Sequence, residues 1–311
     1  MPNDDIRLKE LLAELAHLGT EASTTERGDL DLLPTPDLVR AMNAEDREVA
    51  DAVAARTDEI AAAVDGITQR FRRGGRLIYI GAGTAGRIGV LDASECPPTF
   101  GTDPSMVVGL IAGGEAAIRS AVEDAEDDAD AAEASLRELG LTERDTVVGI
   151  SASGRTPYVV GGLRFARGVG ALTVAIASNA QSSIGAEASI PIEVITGPEF
   201  ISGSTRLKSG TAQKLVVNML TTLSMIKLGK TYRGVMVDLV ATNEKLRARS
   251  IRTVSQLAGV DVKTASDAVS AAGGSVKLAL LMLTTGADAD VAASALSSAG
   301  GILREAIVSL V

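Results

Sequence analysis

A glycine-rich turn between a predicted strand and a predicted helix is the first feature of this sequence that suits a ligand. Leu77–Ile80 has the apolar character of a short buried strand, and it runs into GAGTAG at residues 81–86. The amide groups of such a turn and the positive end of the following helix dipole both favour an anion. Gly83 and Thr84 are therefore candidate ligand contacts, and the pocket should suit a phosphate group.

The same turn matches the glycine fingerprint of dinucleotide-binding proteins, as Gly81-x-Gly83-x-x-Gly86. That fingerprint also expects an acid about 20 residues further on, where it holds a ribose. Residues 106–111 contain no acid, and the next one after them is Glu115. A nicotinamide site is therefore the weaker interpretation, while a tight turn that packs a helix on a strand is compatible with either ligand.

A second strand–helix junction carries three hydroxyl groups within six residues. A predicted strand ending at Ile150 runs into SASGRT, and a proline then opens a helix. Ser151, Ser153 and Thr156 can each donate to an oxygen of one phosphate, and Gly154 lets the backbone approach it. Helix capping needs only one of the three hydroxyls, so the pattern favours phosphate binding over capping alone.

A third polar cluster, GSTRLK at residues 203–208, opens a long predicted helix. Cations at a helix N-terminus are unfavourable against the helix dipole unless an anion lies between them. Ser204 and Lys208 are therefore further candidate substrate contacts, with Arg206 as an alternative to Lys208. Ordinary solvent exposure of both cations explains the pattern equally well.

Two carboxylates are candidates for acid–base chemistry, and spacing alone fixes neither. Glu95 has small and apolar neighbours just before Pro97-Pro98, which should end its helix, although a capping role explains Glu95 equally well. Glu126 belongs to an acidic run on a helix predicted at 114–138. Such a run is usually a solvated face, and the apolar stripe beside it does not distinguish Glu126 from Asp127.

The composition excludes several kinds of chemistry and partner. Of 311 residues, only His17 is a histidine and only one is a cysteine, so we expect no zinc site, Ser-His-Asp triad or disulfide framework. The net charge of −10 and the aromatic content of 2% argue against nucleic acid and membranes as partners. No apolar run reaches about 20 residues and the N-terminus does not resemble a signal peptide, so we expect a cytoplasmic protein.

The order of the predicted elements indicates an α/β fold. One amphipathic helix is expected over Leu8–Leu18, and a longer one from a cap at Asn43 to about Phe71. Further helices are expected near 86–95, 114–138 and 156–168, between strands at 76–80, 106–112, 145–150, 172–177 and 190–195. Five such strands predict a doubly wound five-stranded parallel sheet, flanked by helices, with ligands at the C-terminal ends of its strands.

Beyond Lys230 the sequence predicts only short helices, with Asp261 and either Asp288 or Asp290 as caps. We therefore expect three regions: an N-terminal helical segment over 1–66, the sheet domain over 67–230 and a small C-terminal helical domain over 231–311.

At these residues the chain resembles the N-acetylmuramic acid 6-phosphate etherases, which have the SIS (sugar isomerase) phosphosugar-binding fold. The similar stretches are GAGTAGRIGVLDASECPPTFGTDP (81–104), GLIAGGEAAIRSAVEDAEDD (109–128), SASGRTPYVVGGL (151–163), GSTRLKSGTAQKLVVNMLTT (203–222) and VMVDLVATNEKL (235–246). Ala85 stands where the family often has serine, and Gly28 where asparagine is common. Ala85 removes one hydroxyl that could contact a phosphate.

The resemblance implies a SIS-type sheet, a UBA-like C-terminal domain and a lyase activity in the recycling of cell-wall sugars. Members of that family cleave the D-lactyl ether at C3 of the muramic sugar and hydrate the product to N-acetylglucosamine 6-phosphate. The C2 proton of the open-chain aldehyde is acidified by C1, so an acid and a base suffice and no metal or other cofactor is implied. The family's two functional acids correspond to Glu95, the proton donor, and Glu126.

The resemblance also implies a small phosphosugar as the ligand and, by analogy with other SIS proteins, a homodimer. The related glucokinase regulatory protein is a binding module, so a non-catalytic phosphosugar sensor is the alternative function. An aldose–ketose isomerase is a third, weaker one. The presence of both Glu95 and Glu126 favours the etherase.

Overall fold

A five-stranded parallel sheet is the centre of the computed structural model, which describes residues 18–22, 29–238 and 244–311. The strands are β1 Leu77–Gly81, β2 Val107–Ile111, β3 Thr146–Ile150, β4 Leu172–Ala177 and β5 Ile190–Glu193. Their order across the sheet is β2-β1-β3-β4-β5, with every neighbouring pair parallel. The predicted fold class and all five predicted strands are confirmed. His17 and the helix predicted before Leu18 lie outside the described residues.

The two central strands determine where a ligand crevice forms. Every residue of β1 and β3 is buried, as expected for valine- and isoleucine-rich parallel strands covered on both faces. β2 and β3 lie on opposite sides of β1, so the chain leaves the C-terminal ends of β1 and β3 in opposite directions. Gly81 is in register with Ile150, so both loops start at the same edge. Sheets of this strand order bind ligands at that point.

Helices pack on both faces of this sheet. In the described part of the chain they are α1 Thr35–Ala54, α2 Thr57–Arg72, α3 Gly83–Phe100, α4 Ala116–Arg119, α5 Ala129–Glu138, α6 Pro157–Val169, α7 Ser183–Glu187 and α8 Lys208–Lys227. Helices α5 and α6 bury Leu136 and Leu163 against Ile78, Ile80 and Val147 on one face. The single helix predicted from Asn43 to Phe71 is wrong, because Asn43 lies inside α1 and the chain breaks between α1 and α2.

The helix predicted over 114–138 is also wrong in its middle. Helix α4 ends at Arg119 and α5 begins at Ala129, so Glu126 lies in the turn between them. Asp124 has a φ of +58°, which a continuing helix does not allow. The side chain of Asp128 accepts from the N–H groups of Asp130 and Ala131 and caps a new helix.

The proline pair does not end α3, contrary to prediction. The helix runs through Pro97 and Pro98 to Phe100. The fixed φ of proline is compatible with a helix, although each proline lacks an N–H donor and its ring crowds the carbonyl four residues earlier. The prolines lie close to the helix end, where the Gly101 N–H still closes on the Pro97 carbonyl at 2.9 Å.

The chain divides into two compact units, and the division falls inside α3. One unit comprises the chain up to Ser94 with Ser105–Thr221, and the other comprises Glu95–Pro104 with Thr222–Val311. The second unit contains the hairpin β6 Thr231–Tyr232 and β7 Val235–Met236, and α9 Glu244–Ala258, α10 Val262–Ala271, α11 Val276–Thr285, α12 Ala289–Ser298 and α13 Leu303–Leu310. The caps predicted at Asp261 and Asp288 are confirmed by their bonds to Thr264 and Val291. The finer boundaries at 66/67 and 230/231 stay predictions.

Within the described ranges, no single helix is both long and apolar enough to cross a membrane. The bent pairs α10–α11 and α12–α13 reach that length and composition only when their two helices are counted together.

Candidate functional site

A cavity of about 270 Å³ lies where the loops after β1 and β3 diverge. The N-terminus of α3, the β3–α6 loop, the turn before α5, the first half of α8 and the 3-10 turn Gly19–Glu21 contribute its walls. Its polar lining residues are Glu21, Thr84, Glu126, Ser151, Ser153, Thr156, Thr205 and Gln213. Five of the predicted contacts, together with the predicted acid Glu126, therefore meet at one edge of the sheet, since Gly83 lines the cavity as well.

The N-terminus of α3 forms one wall. Gly83 and Thr84 are the first two residues of this helix, so their amide N–H groups have no acceptor within it. The φ of Gly83 is +52°, a conformation that glycine adopts without strain. A Cβ on Gly81 would lie 2.8 Å from the amide nitrogen of Gly86, so the strand and helix meet backbone to backbone. This turn can hold an anion by its amides.

The β3–α6 loop forms the opposite wall with a cluster of hydroxyl groups. Ser151, which is buried, has its Oγ 2.8 Å from Thr156 Oγ1 and 3.3 Å from Ser153 Oγ. The Gly154 N–H donates to Ser151 Oγ at 3.1 Å. The three hydroxyls are thus held together before any ligand binds, and their protons can turn towards phosphate oxygens.

Two residues outside the lining fix the shape of this loop. Gly154 has a φ of +75°, and a Cβ there would lie 2.4 Å from the Cβ of Ser182, so only glycine fits. Asn179, two residues after β4, donates through Nδ2 to the Ala152 carbonyl and to Thr20 Oγ1, each at 3.1 Å. Gly154 was predicted to contact the ligand directly. It does not line the cavity, and a side chain at this position would point at Ser182.

Glu126 reaches the cavity from a turn and not from a helix. Its side chain is exposed, and it borders both this cavity and a neighbouring one of about 190 Å³ that Arg87 also lines. The backbone carbonyl of Glu126 accepts from the N–H of Tyr158, in the first turn of α6, at 3.0 Å. An exposed carboxylate at a phosphate-sized pocket can accept a proton from a bound ligand or donate one to it.

Three other predicted site residues do not line this cavity in the described structure: Glu95, Ser204 and Lys208. Glu95 is exposed on α3, about three turns after Thr84, and belongs to the second compact unit. Lys208 is 2% exposed, and its ammonium group lies 2.8 Å from Glu45 Oε2. The ammonium group of Lys208 therefore already has a charged partner within the protein. Ser204 is half-buried, between the lining residues Gly203 and Thr205.

A buried carboxylate supports the walls of the site. Asp92 of α3 accepts from Tyr79 of β1 at 2.8 Å and from Asn218 of α8 at 2.7 Å, with Thr221 at 3.2 Å. Burial raises the pKa of Asp92, and the three hydrogen bonds oppose that shift only in part. This cluster joins the two helices that carry Thr84 and Gln213 to β1.

Sequence reasoning missed four residues of the site. Glu21, Thr205 and Gln213 line the cavity, and Asn179 holds its hydroxyl loop. Asn179 could have been predicted from the sequence, because it follows β4 at the same edge of the sheet as the loops after β1 and β3. Gln213 carried a weaker one, as a polar residue on the buried face of α8.

Among the described residues, no group of three or more His, Cys, Asp and Glu side chains could hold a metal ion.

Comparison with known proteins connects this site to a family. Residues 59–167 match the glucokinase regulatory protein N-terminal SIS domain, and residues 122–223 match the SIS domain. The N-acetylmuramic acid 6-phosphate etherase of Streptomyces avermitilis is 56% identical over 278 residues, 89% of each chain. That of Vibrio campbellii is 54% identical over 88% of this chain and 89% of its own.

A solved structure supports the fold. The phosphoheptose isomerase from Francisella tularensis is 16% identical, with a TM-score of 0.50 over 62% of this chain and 100% of its own, and shows the same fold. The sequence identity to the Streptomyces avermitilis etherase, 56% over 89% of each chain, shows more than a shared fold. The chain belongs to the N-acetylmuramic acid 6-phosphate etherase family.

Proposed function

We propose that this protein cleaves the D-lactyl ether of N-acetylmuramic acid 6-phosphate with water, giving N-acetylglucosamine 6-phosphate and D-lactate. The observation that carries the proposal is one cavity in which a helix N-terminus, three clustered hydroxyls and Glu126 meet. The cavity belongs to a chain 56% identical to an etherase. Its elements suit a substrate with a phosphate at one end and a carbon acid at the other.

The phosphate is the part of the substrate that the two loops would hold. Gly83 and Thr84 offer amide donors, and Ser151, Ser153 and Thr156 offer hydroxyl donors on the facing wall. The protein carries a net charge of −10, so attraction of an anion has to be local. Gly154 would shape the loop, Ser204 remains a predicted contact, and we propose that Lys208 acts indirectly, by holding the start of α8 through Glu45.

The chemistry needs one base and one acid. In the open-chain sugar a base removes the C2 proton, the C3–oxygen bond breaks, and the departing lactate oxygen takes a proton from the acid. Water then adds at C3 of the unsaturated aldehyde. From the resemblance we assign proton donation to lactate to Glu95, and C2 proton removal or water activation to Glu126. Neither step requires a metal ion or another cofactor.

We further propose that the protein acts as a homodimer in the cytoplasm. Glu126 lines the described cavity and Glu95 does not. A site completed by Glu95 of a second subunit would bring both acids to one substrate. Light scattering of the purified protein measures the assembly, and a monomer that retains full activity would contradict a shared site.

The test of the proposed function is lactate release by the purified protein, assayed in the presence of a chelator. We expect release from the muramic sugar 6-phosphate and little from the same sugar without the phosphate. Activity that disappears with chelator and returns with a divalent metal would contradict the carboxylate mechanism. Tight binding of the sugar phosphate without any lactate release would favour the regulatory alternative.

A further inference from the structure

A buried glutamine on α8 has an amide with no hydrogen-bond partner. Gln213 is 1% exposed, and neither its Oε1 nor its Nε2 makes a hydrogen bond to any described residue. A primary amide carries two donor hydrogens and an acceptor oxygen, and buried amides normally use most of them. An unpaired buried amide is a cost to the fold, so a partner from outside the chain explains why it is tolerated.

Gln213 is one of the residues that line the cavity of the candidate site. Gln213 lines it together with Thr84 and Thr156. One turn earlier on the same face of α8, a Cβ on Gly210 would lie 3.6 Å from Thr84 Cγ2, so α8 and the start of α3 are in close contact. The Gln213 side chain therefore shares the space in front of the α3 N-terminus.

Several charged and polar groups near the start of α8 are already paired with one another. Glu199 accepts from the backbone N–H groups of Lys208 and Ser209, at 2.8 and 2.9 Å, and the ammonium group of Lys208 is bonded to Glu45. Across the cavity, Ser151 and Thr156 are bonded to each other. The start of α8 is thus held without help from Gln213, which leaves its amide available to a ligand.

We propose that Gln213 binds a neutral group of the sugar next to the phosphate. This group is a hydroxyl or an acetamido group, which can both donate and accept a hydrogen bond. The phosphate itself is excluded as the main partner, because its oxygens only accept and would leave Oε1 unpaired against negative charge. A hydroxyl or an amide satisfies Oε1 and Nε2 together. This inference rests on the proposed function for its ligand class, and it adds the residue that distinguishes a phosphosugar from free phosphate.

The experiment compares Gln213→Met with the wild type by calorimetry, using glucose 6-phosphate, N-acetylglucosamine 6-phosphate and inorganic phosphate as probes. Methionine keeps the length of the side chain and removes both polar atoms. Affinity for the sugar phosphates should fall by about 10- to 100-fold, as for a lost buried hydrogen-bonded group. Affinity for inorganic phosphate should stay within about twofold. An equal loss for both sugars identifies a hydroxyl, and a loss confined to the N-acetyl sugar identifies the acetamido group.

Ser209→Ala is the matched control, since Ser209 is also buried on α8 with an unpartnered hydroxyl but does not line the described cavity. It should leave all three affinities unchanged. The unfolding temperature of Gln213→Met should not fall, and a fall of more than about 2 °C would mean a structural role and overturn the proposal. Unchanged sugar phosphate affinity in Gln213→Met would overturn it too. Failure of the wild type to bind any sugar phosphate would instead reject the proposed function itself.

Discussion

The amide N–H of Tyr158 donates to the backbone carbonyl of Glu126 over 3.0 Å. Tyr158 follows Thr156 by two residues, so this bond ties the turn that carries Glu126 to the hydroxyl loop. Burial raises the pKa of Tyr158 to about 12, opposed in part by a hydrogen bond with Ser135, so the phenol is neutral and packed at physiological pH. The position of Glu126 therefore depends on α6.

This dependence predicts that a remote glycine controls activity. A Cβ on Gly161 of α6 would lie 1.9 Å from the carbonyl oxygen of Ala129, the first residue of α5. Gly161→Ala must push α5, and with it the turn that carries Glu126, away from α6. We expect kcat/KM for lactate release to fall by about tenfold or more, since small misplacements of a reacting group are costly. The free energy of unfolding should fall by about 1–3 kcal/mol, measured by urea denaturation.

Gly168→Ala is the control for this change. Gly168 lies on the same helix, is exposed, and has no other described atom within 4 Å of an added Cβ. This variant should keep full activity and gain about 0.5–1 kcal/mol in stability, because alanine restricts the unfolded chain. Full activity in Gly161→Ala would show that the Glu126 turn does not depend on α6.

A second prediction concerns the hydroxyl loop. Ser153 makes only long contacts within the protein, with its Oγ 3.3 Å from Ser151 Oγ and 3.3 Å from the Arg155 amide nitrogen. Ser153→Ala should therefore change stability little while it weakens sugar phosphate binding by about 1.5–3 kcal/mol, the value of a charge-assisted hydrogen bond. Ser151→Ala should lose stability as well, because Ser151 is buried and accepts from the Gly154 N–H. Unchanged affinity of Ser153→Ala in calorimetry would remove Ser153 from the phosphate site.

The third prediction concerns the two acids. Glu126→Gln keeps the backbone carbonyl that Tyr158 bonds, so its effect reports on the side chain alone. Both Glu126→Gln and Glu95→Gln should lose about 10²–10⁴ in kcat with little change in substrate affinity, as for a missing general acid or base. Lactate release near the wild-type rate by Glu95→Gln would mean that another group protonates lactate.

If the two acids come from different subunits, mixing the inactive variants should restore activity. Heterodimers of Glu95→Gln with Glu126→Gln would contain one site with both acids intact and one with neither. Unfolding and refolding an equal mixture should therefore recover about a quarter of wild-type activity, since about half of the dimers are mixed and each has one intact site. No recovery after verified subunit exchange would mean that each subunit supplies both acids to its own site.

The fourth prediction concerns stability and pH. The Arg76 side chain and backbone and the Thr142 N–H all donate to the buried carboxylate of Asp145, which precedes β3. Burial alone would raise the pKa of Asp145, but the hydrogen bonds from Arg76 and Thr142 and the charge of Arg76 lower it from 3.8. A folded-state pKa below the unfolded one gives stability that is present at neutral pH and lost as pH falls through the folded value.

Asp145→Asn should therefore cost about 1.5–3 kcal/mol at pH 7, the value of hydrogen bonds to a charged group. The difference between variant and wild type should shrink as the pH is lowered below 3.8, because Asp145 is then protonated first in the unfolded chain and, below its lowered folded-state pKa, in the folded protein as well. Urea denaturation over a pH series measures it. A difference that stays constant down to acid pH would show that the charge of Asp145 is unimportant.

The sequence predicted the sheet and the loops after β1 and β3 because their signals are local. It did not predict the turn at Glu126. Apolar strands that end in glycine or serine turns define both β1 and β3 and the helices after them. The turn at Glu126 was missed because an acidic, alanine-rich run has good helical character, and only the Asp128 cap and the left-handed Asp124 interrupt it. The bond from the Tyr158 N–H to the Glu126 carbonyl, which holds this turn, forms only in the folded protein.

The ion pair of Lys208 could not be predicted for a different reason. Its partner Glu45 lies 163 residues earlier in the chain, on α1, and local spacing carries no information about such a contact. Gln213 has the same difficulty, because its lack of a partner is a property of the folded cavity. Local patterns identified the loops that line the cavity, and tertiary packing decided which side chains face it.

The most direct test of the account is to follow the reaction of N-acetylmuramic acid 6-phosphate with the wild-type protein in deuterated water by NMR. The account predicts free D-lactate and N-acetylglucosamine 6-phosphate that carries deuterium at C2, because the C2 proton leaves in the elimination and is replaced from solvent. Product that forms with its original C2 proton fully retained would contradict exchange of that proton with solvent between elimination and hydration, and absence of lactate would contradict the activity itself.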